Sequence, residues 1–496
     1  METPKNNPIP PKESQAMGLF ERIANSLILK MATIFFLIII MLIPLNLVED
    51  LVNERKAREI TVSSEISSKW GQDQVISSPI LAVPYETKQE IVQKDDKGKE
   101  YIVESRGEEW AFLLPNQSNM QTDVKPESLK RGIYQSVVYN TNTVIKGDFQ
   151  GFDLERLPIQ PSKMKWAEAK LIMGIQDLKG LLESPMLTTQ DSSFTFQRES
   201  NSLRLFPNSL VVNLKLKNAE EAKFPFEIKL DLRGSKSLNY LPLASHTNIA
   251  VKGSWSNPSF NGGYLPENRE VKQDEFQANW SIPSFARRIP QQWIADNSRL
   301  YNFSGLSLSE MDYPTVYGET AVDATESAQS VTIQAATDMD MVQVNFLPEV
   351  NSYQKTTRAT KYGVLVIILT FVSLFFTEII KKQRIHLIQY ILIGAAMVLF
   401  YSLLLAISEH LGFDLAYLFA AIATIVLIAS FIFAITKDRR TALLFTAILG
   451  LFYSFIFVLM QLRDYSLIVG TVGIFIILAI LMRLSTKINW YQFEKK

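Results

Sequence analysis

Six apolar runs constrain this chain more than any other feature of its sequence. Crossing a hydrocarbon core of roughly 30 Å takes about 20 consecutive apolar residues in helical form. The first run is "LILKMATIFFLIIIMLIPLNLV" (27–48), and five more lie at about 362–380, 387–407, 413–436, 441–462 and 465–482. Lipid-exposed backbone must satisfy its hydrogen bonds internally, so runs this long predict helices. The last five are joined by links of only a few residues, which predicts a compact helical bundle. Lys30, near the start of the first run, has a side chain long enough to reach the headgroups. That run is too long for a signal-peptide core, and "LIPLNLVEDLVNER" offers no small-x-small cleavage site, so it reads as an uncleaved anchor.

Orientation follows from the basic residues in the short links. One side of the bundle carries Lys381, Lys382, Arg384, Lys437, Arg439, Arg440, Arg483, Lys487, Lys495 and Lys496, while the other carries only Arg463. Ten against one predicts that the C-terminal tail is cytoplasmic. Five crossings then put Lys361 outside, and the N-terminus lies inside. The flanks of the first run are nearly balanced in charge and decide nothing alone. The predicted domains are a cytoplasmic tail over 1–26, an anchor over 27–48, a periplasmic domain over 49–361, a five-helix bundle over 362–482 and a cytoplasmic tail over 483–496. In the first tail, Phe20, Ile23, Ala24 and Leu27 share one face of an amphipathic lead-in helix suited to the membrane surface.

Between the anchor and the bundle, about 310 residues change period from 3.6 to 2. "LVVNLKLK" (210–217) and "FEIKLDLRG" (226–234) alternate apolar with polar, as do "TNIAVKGSW" and "EFQANWSI". "RGIYQSVVYNTNTVIKGDF" (131–149) is rich in β-branched and aromatic residues, which predicts another strand. Strict alternation predicts antiparallel sheets with one dry and one wet face. The expected fold is therefore an α+β membrane protein. It has six transmembrane helices, one an N-terminal anchor and five in a C-terminal bundle, with a large β-rich, sandwich-like extracytoplasmic domain. "EDLVNERKAREITVSSEISSKW" continues the first helix as a charged stalk, and "QKDDKGKE" (93–100) reads as an exposed hairpin loop.

Composition narrows the chemistry. Lysine plus arginine equals aspartate plus glutamate, 50 each, so no charge excess argues for nucleic acid. Cysteine is absent, which excludes disulfides, thiolate nucleophiles and cysteine-ligated metals. His246, His386 and His410 are scattered, and no HExxH, phosphate-loop or dinucleotide motif occurs, so neither metal nor cofactor is expected. Ser408, Glu409 and His410 stand together in "AISEHLGFD", but neighbours on a helix point about 100° apart and cannot form a relay among themselves. No G-x-S-x-G elbow supports a hydrolase, and no catalytic residue is assigned.

Two other groups invite a role. Arg358 and Lys361 end the soluble segment on the side where Glu409 and Asp414 begin and end helices. These four either dock the β-rich domain onto the bundle or are ordinary headgroup-level charges. In "WSNPSFNGGYLPENREV" (255–271), Trp255, Phe260 and Tyr264 surround turn-making Asn-Pro and Gly-Gly pairs. They either touch an envelope protein or glycan, or are pinned into the core of a crossover. Glu378 lies four residues before Lys382, a spacing that allows a helical pair and a structural clasp. The bundle interior holds almost nothing ionisable, which argues against a transport pathway.

Several long blocks in register carry a family resemblance. "NSYQKTTRATKYGVLVIILTF", "RIHLIQYILIGAAMVLFYSLLLAISEHLGF" and the late "INWY" resemble the CreD family of bacterial inner-membrane proteins. "SSPILAVPY", "RGIYQSVVY" and "WSNPSFNGGYLPENREV…FQANW" are similar to that family's blocks in the same order. The resemblance implies a role in cell-envelope integrity, associated with colicin tolerance and two-component control. It implies no enzymatic activity, ligand or catalytic residue. The resulting expectation is a non-catalytic, multi-pass inner-membrane protein, in contact with the bilayer, that presents its β-rich domain to envelope components. The alternatives are a lipid or small-solute transporter or flippase, and a membrane-tethered hydrolase.

Overall fold

In the computed structural model, residues 27–94, 100–157, 159–190, 192–198, 203, 205–287, 289–295, 300, 340–348, 352–381, 385–462 and 465–486 are described. The lead-in helix expected around Phe20, Ile23 and Ala24 and the tip of the 93–100 loop lie outside them. The chain divides into two compact units, one of residues 1–58 with 350–496 and one of 59–349.

The helical unit begins with α1 (Leu27–Trp70), whose last residues belong to the other unit. Its 44 residues span about 66 Å, so the apolar run and the charged stalk form one uninterrupted helix. The expected boundary at 49 falls inside this helix. After the β unit, α2 (Ser352–Lys361) runs into α3 (Gly363–Lys381) with a break only at Tyr362. Thus "TTRATK", expected to close the soluble domain, is helical and groups with the bundle. The small residues Thr356, Ala359 and Thr360 allow this because they are buried against neighbouring helices. Then follow α4 (Leu387–Leu411), α5 (Phe413–Thr436), α6 (Arg439–Gln461) and α7 (Ser466–Ser485). Among the described residues five spans are long and apolar enough to cross a membrane, and a shorter apolar stretch lies at Ile468–Arg483. Gly412 alone joins α4 to α5. Its φ of 77° is a conformation side chains resist, and its N–H caps the carbonyl of Ser408 at 3.2 Å.

The β unit contains 18 described strands in three sheets. The largest orders Asn268–Val271, Phe276–Pro283, His246–Gly253, Gln117–Arg131, Tyr134–Gln150, Lys223–Ser235, Met186–Thr188 and Ser193–Thr195. Across it runs one apolar rung: Trp280, Ile249, Met120, Ile145, Ile228, Leu187 and Phe194 face one another strand by strand. Slipping any strand by one residue would turn its share of the rung to water, so the alternation itself selects the register.

The other two sheets depart from the expected pattern of one dry face. In Ile80–Lys94, Leu81, Val83 and Tyr85 join the core shared with the large sheet, whereas Ile80 and Ala82 join a second core with Phe112, Leu241 and Trp293. Over residues 80–85 both faces are dry, which is why "ILAV" reads as a continuous apolar run rather than an alternation. Nor is the pairing purely antiparallel. Gln117–Arg131 pairs parallel with His246–Gly253, and Gln74–Ser77 pairs parallel with Ser237–Leu241. Parallel neighbours need long connections, and these are separated by more than a hundred residues of chain.

The end of α1 is tied into this unit. Gly71 caps it through the carbonyl of Ser67, and a Cβ there would lie 2.8 Å from the Arg233 carbonyl, so only glycine fits. The Trp70 ring lies under the Arg233 guanidinium at 5.0 Å, and Ser63 bonds the Ser136 hydroxyl at 2.8 Å.

Candidate functional site

The helical unit carries two polar clusters, one towards each end of α4. At its N-terminal end, Glu378 of α3 is only 8% exposed. Its carboxylate pairs with Lys30 of α1, accepts from the Tyr390 hydroxyl at 3.2 Å and accepts from the Ile385 N–H at 3.2 Å. Such a carboxylate is stable in an apolar setting only because its lone pairs are answered. The pairing expected with Lys382 falls on a residue outside those described; the observed partners come from α1 and α4. Beside Glu378 is a small cleft, on the order of one water in size, lined by Thr377, Thr436 and Thr441 among apolar side chains. His386 completes this end as the N-cap of α4, its ring nitrogen accepting from Ile388 N–H.

At the C-terminal end of α4, Glu409 accepts from the Tyr353 hydroxyl at 3.2 Å and lies 3.7 Å from Arg55 of α1. Asp414 lies 3.5 Å from Lys355 and accepts from the Gln461 amide at 2.9 Å, while Lys355 also sits over the Phe413 ring at 5.3 Å. The expected partners Arg358 and Lys361 are not used: both are exposed, and among the described residues neither pairs with a carboxylate. The reason is helical phase. Arg358 is two residues from buried Thr356, hence about 200° round α2 and turned away from the packed face. Arg55, Glu409, Lys355 and Asp414, which do pair at this end, all lie within the helical unit. Tyr390 and Glu409 are 19 residues apart on α4, about 28 Å, close to the thickness of a hydrocarbon core of roughly 30 Å.

Ser408, Glu409 and His410 diverge. The Ser408 hydroxyl is buried and donates to the Leu405 carbonyl at 2.9 Å, Glu409 takes the partners above, and His410 is exposed. Among the described residues no three His, Cys, Asp or Glu side chains converge as a metal site.

In the β unit, the three aromatics of the 255–271 segment are held by the fold. Phe260 is buried and packs edge-on against Trp280 at 5.7 Å. The Trp255 indole donates to the Leu347 carbonyl at 2.9 Å, and the Tyr264 hydroxyl donates to the Ala286 carbonyl at 2.7 Å. The side chains this region displays instead are Leu265, 73% exposed, and Phe285, 98% exposed. Neither is marked in the sequence, because a single apolar residue beside a proline turn carries no periodic signal.

Five or six apolar helices with a β-rich unit inserted between the first and second define an α+β membrane protein. A family described as "Inner membrane protein CreD" matches residues 26–491. The chain belongs to the CreD family. It is 27% identical over 467 residues to the inner membrane protein CreD of Escherichia coli (strain K12), covering 94% of each chain.

Proposed function

We propose that this protein contributes to cell-envelope integrity by holding its β unit on the periplasmic side of the inner membrane, without catalysis. One observation carries the sidedness: ten basic residues line one set of bundle links against one on the other. Support comes also from the polar clusters, which tie α1 to the bundle about a membrane thickness apart. Periplasmic and cytoplasmic reporter fusions at Gly262, together with protease added to spheroplasts, test the reading. Periplasmic reporter activity and cleavage from outside are expected; a protected β unit with an active cytoplasmic reporter refutes it.

A carrier reading draws on Glu378, because an ionisable group within a span marks pathways in transporters. The Lys30 and Tyr390 contacts favour a structural clasp. A hydrolase using Ser408 predicts loss of envelope function when Ser408, Glu409 and His410 are all changed to alanine; the proposal predicts that function persists.

A further inference from the structure

Among the described residues, Arg287 is a cation that no carboxylate answers. Its half-buried guanidinium donates to the Leu243 carbonyl and to Oε1 of Gln291, both neutral, and among the described residues no acidic side chain pairs with it. Burial lowers its pKa to about 10, with no neighbouring carboxylate opposing the shift. Gln291 is itself committed, donating to the Leu114 and Pro115 carbonyls at 2.6 and 3.1 Å and accepting from the Ser245 hydroxyl at 2.7 Å. The arginine is thus held from behind, and among the described residues the rest of its planar donor fork has no acceptor. A carboxylate matches such a fork, and pairing would offset the desolvation the cation already bears.

An independent feature occupies the same corner. Phe285 is 98% exposed on the short turn Ser284–Ala286, and Leu265 is 73% exposed on the adjoining loop. The two turns are braced rather than loose: the Tyr264 hydroxyl donates to Ala286, and the Trp280 indole donates to the Tyr264 carbonyl at 3.1 Å. Two large apolar side chains therefore stand in water beside a guanidinium that no described carboxylate meets. The corner lies where His246 faces both Pro283 and Gln117. At the far end of the 15-residue strand Gln117–Arg131, Arg131 pairs with Glu65 of α1, so the corner is about 46 Å along the sheet from that contact.

We propose that this corner docks a protein partner presenting a carboxylate beside an apolar side chain. Arginine with an exposed aromatic is the composition of interface hot spots. A lipid headgroup surface calls instead for a diffuse cluster of cations, whereas a guanidinium fixed against Leu243 and Gln291 beside the exposed Phe285 fits a single carboxylate with an apolar neighbour. The inference rests on the reading of the β unit as the partner-facing part of the protein. The test places a photoreactive phenylalanine analogue at Leu265 of the full-length chain in intact cells. It compares the parent with Arg287→Gln, Arg287→Lys and Phe285→Ser. A protein adduct is expected whose yield falls roughly tenfold in Arg287→Gln and in Phe285→Ser and partly survives in Arg287→Lys. Phe285 is almost wholly exposed, so its change leaves the fold intact and keeps the test decisive if Arg287→Gln misfolds. Adduct yield indifferent to both residues, a lipid adduct, or no adduct overturns the proposal. The chain lacks cysteine, so labelling of Phe285→Cys with an impermeant reagent reports sidedness separately. A cytoplasmic β unit would then refute the periplasmic reading, while the adduct yields still decide the docking site.

Discussion

Asp73 follows the end of α1 by three residues, where the helix gives way to the first strand. Burial raises its carboxyl pKa from the ordinary 3.8 to about 6, against the attraction of Lys236 and a hydrogen bond from the Ser237 N–H. The folded protein therefore holds this proton more tightly than the unfolded chain does. Between pH 3.8 and about 6 stability falls as pH rises, and above that window the loss is complete. A shift of about two units corresponds to about 3 kcal/mol, and the carboxyl's residual contact with water reduces this to about 1–3 kcal/mol. Asp73→Asn keeps an oxygen for the Ser237 N–H and removes the charge. For a unit of this size, about 2 °C per kcal/mol, the variant should melt about 2–6 °C higher at pH 7.5. The gap should close as pH falls towards 4. Thermal unfolding of the full-length chain in detergent, followed by tryptophan fluorescence from pH 4 to 8, measures it, with Trp70 reporting from the same junction. A variant that melts lower at pH 7.5, or a gap independent of pH, would show that attraction to Lys236 outweighs burial and refute the reasoning.

Lys30→Met should destabilise the purified protein by about 2–4 kcal/mol, because it strands the Glu378 carboxylate, and Lys30→Met with Glu378→Gln should recover most of that in a thermal melt. Tyr417→Phe should cost about 1 kcal/mol, since its hydroxyl donates to the Tyr453 carbonyl at 2.8 Å; Tyr453→Phe should be close to neutral, since that buried hydroxyl has no partner among the described residues. Reversing Glu409 to Lys should lower thermal stability and be rescued in part by Arg55→Glu, whereas Arg358→Glu should give no rescue. Equal rescue by both would mean a diffuse field rather than a specific contact.

The apolar runs and the alternating strands were legible because each is a local pattern, set by the period of the element that carries it. The stalk was legible for the same reason: its charges simply continue the helix that leaves the lipid. Partners were not. Lys30 meets Glu378 across 348 positions of sequence, and nothing in either neighbourhood names the other. Helical phase likewise separated Arg358, at a plausible address, from Lys355 on the same helix, while Arg55 reaches Glu409 from α1. The dry second face at Ile80 and Ala82 escaped the alternation rule because that rule assumes water on one side.

Short-range patterning of the sequence by itself determined which segments are helix or strand and which faces must be dry, since hydrophobic period and span length are properties of contiguous residues. Tertiary structure alone decided which charges meet, which sheets share a core and which side chains are left in water. Those outcomes depend on elements distant in sequence arriving at one place, where packing gives Glu378 the partners Lys30 and Tyr390 and seats Arg287 against neutral acceptors.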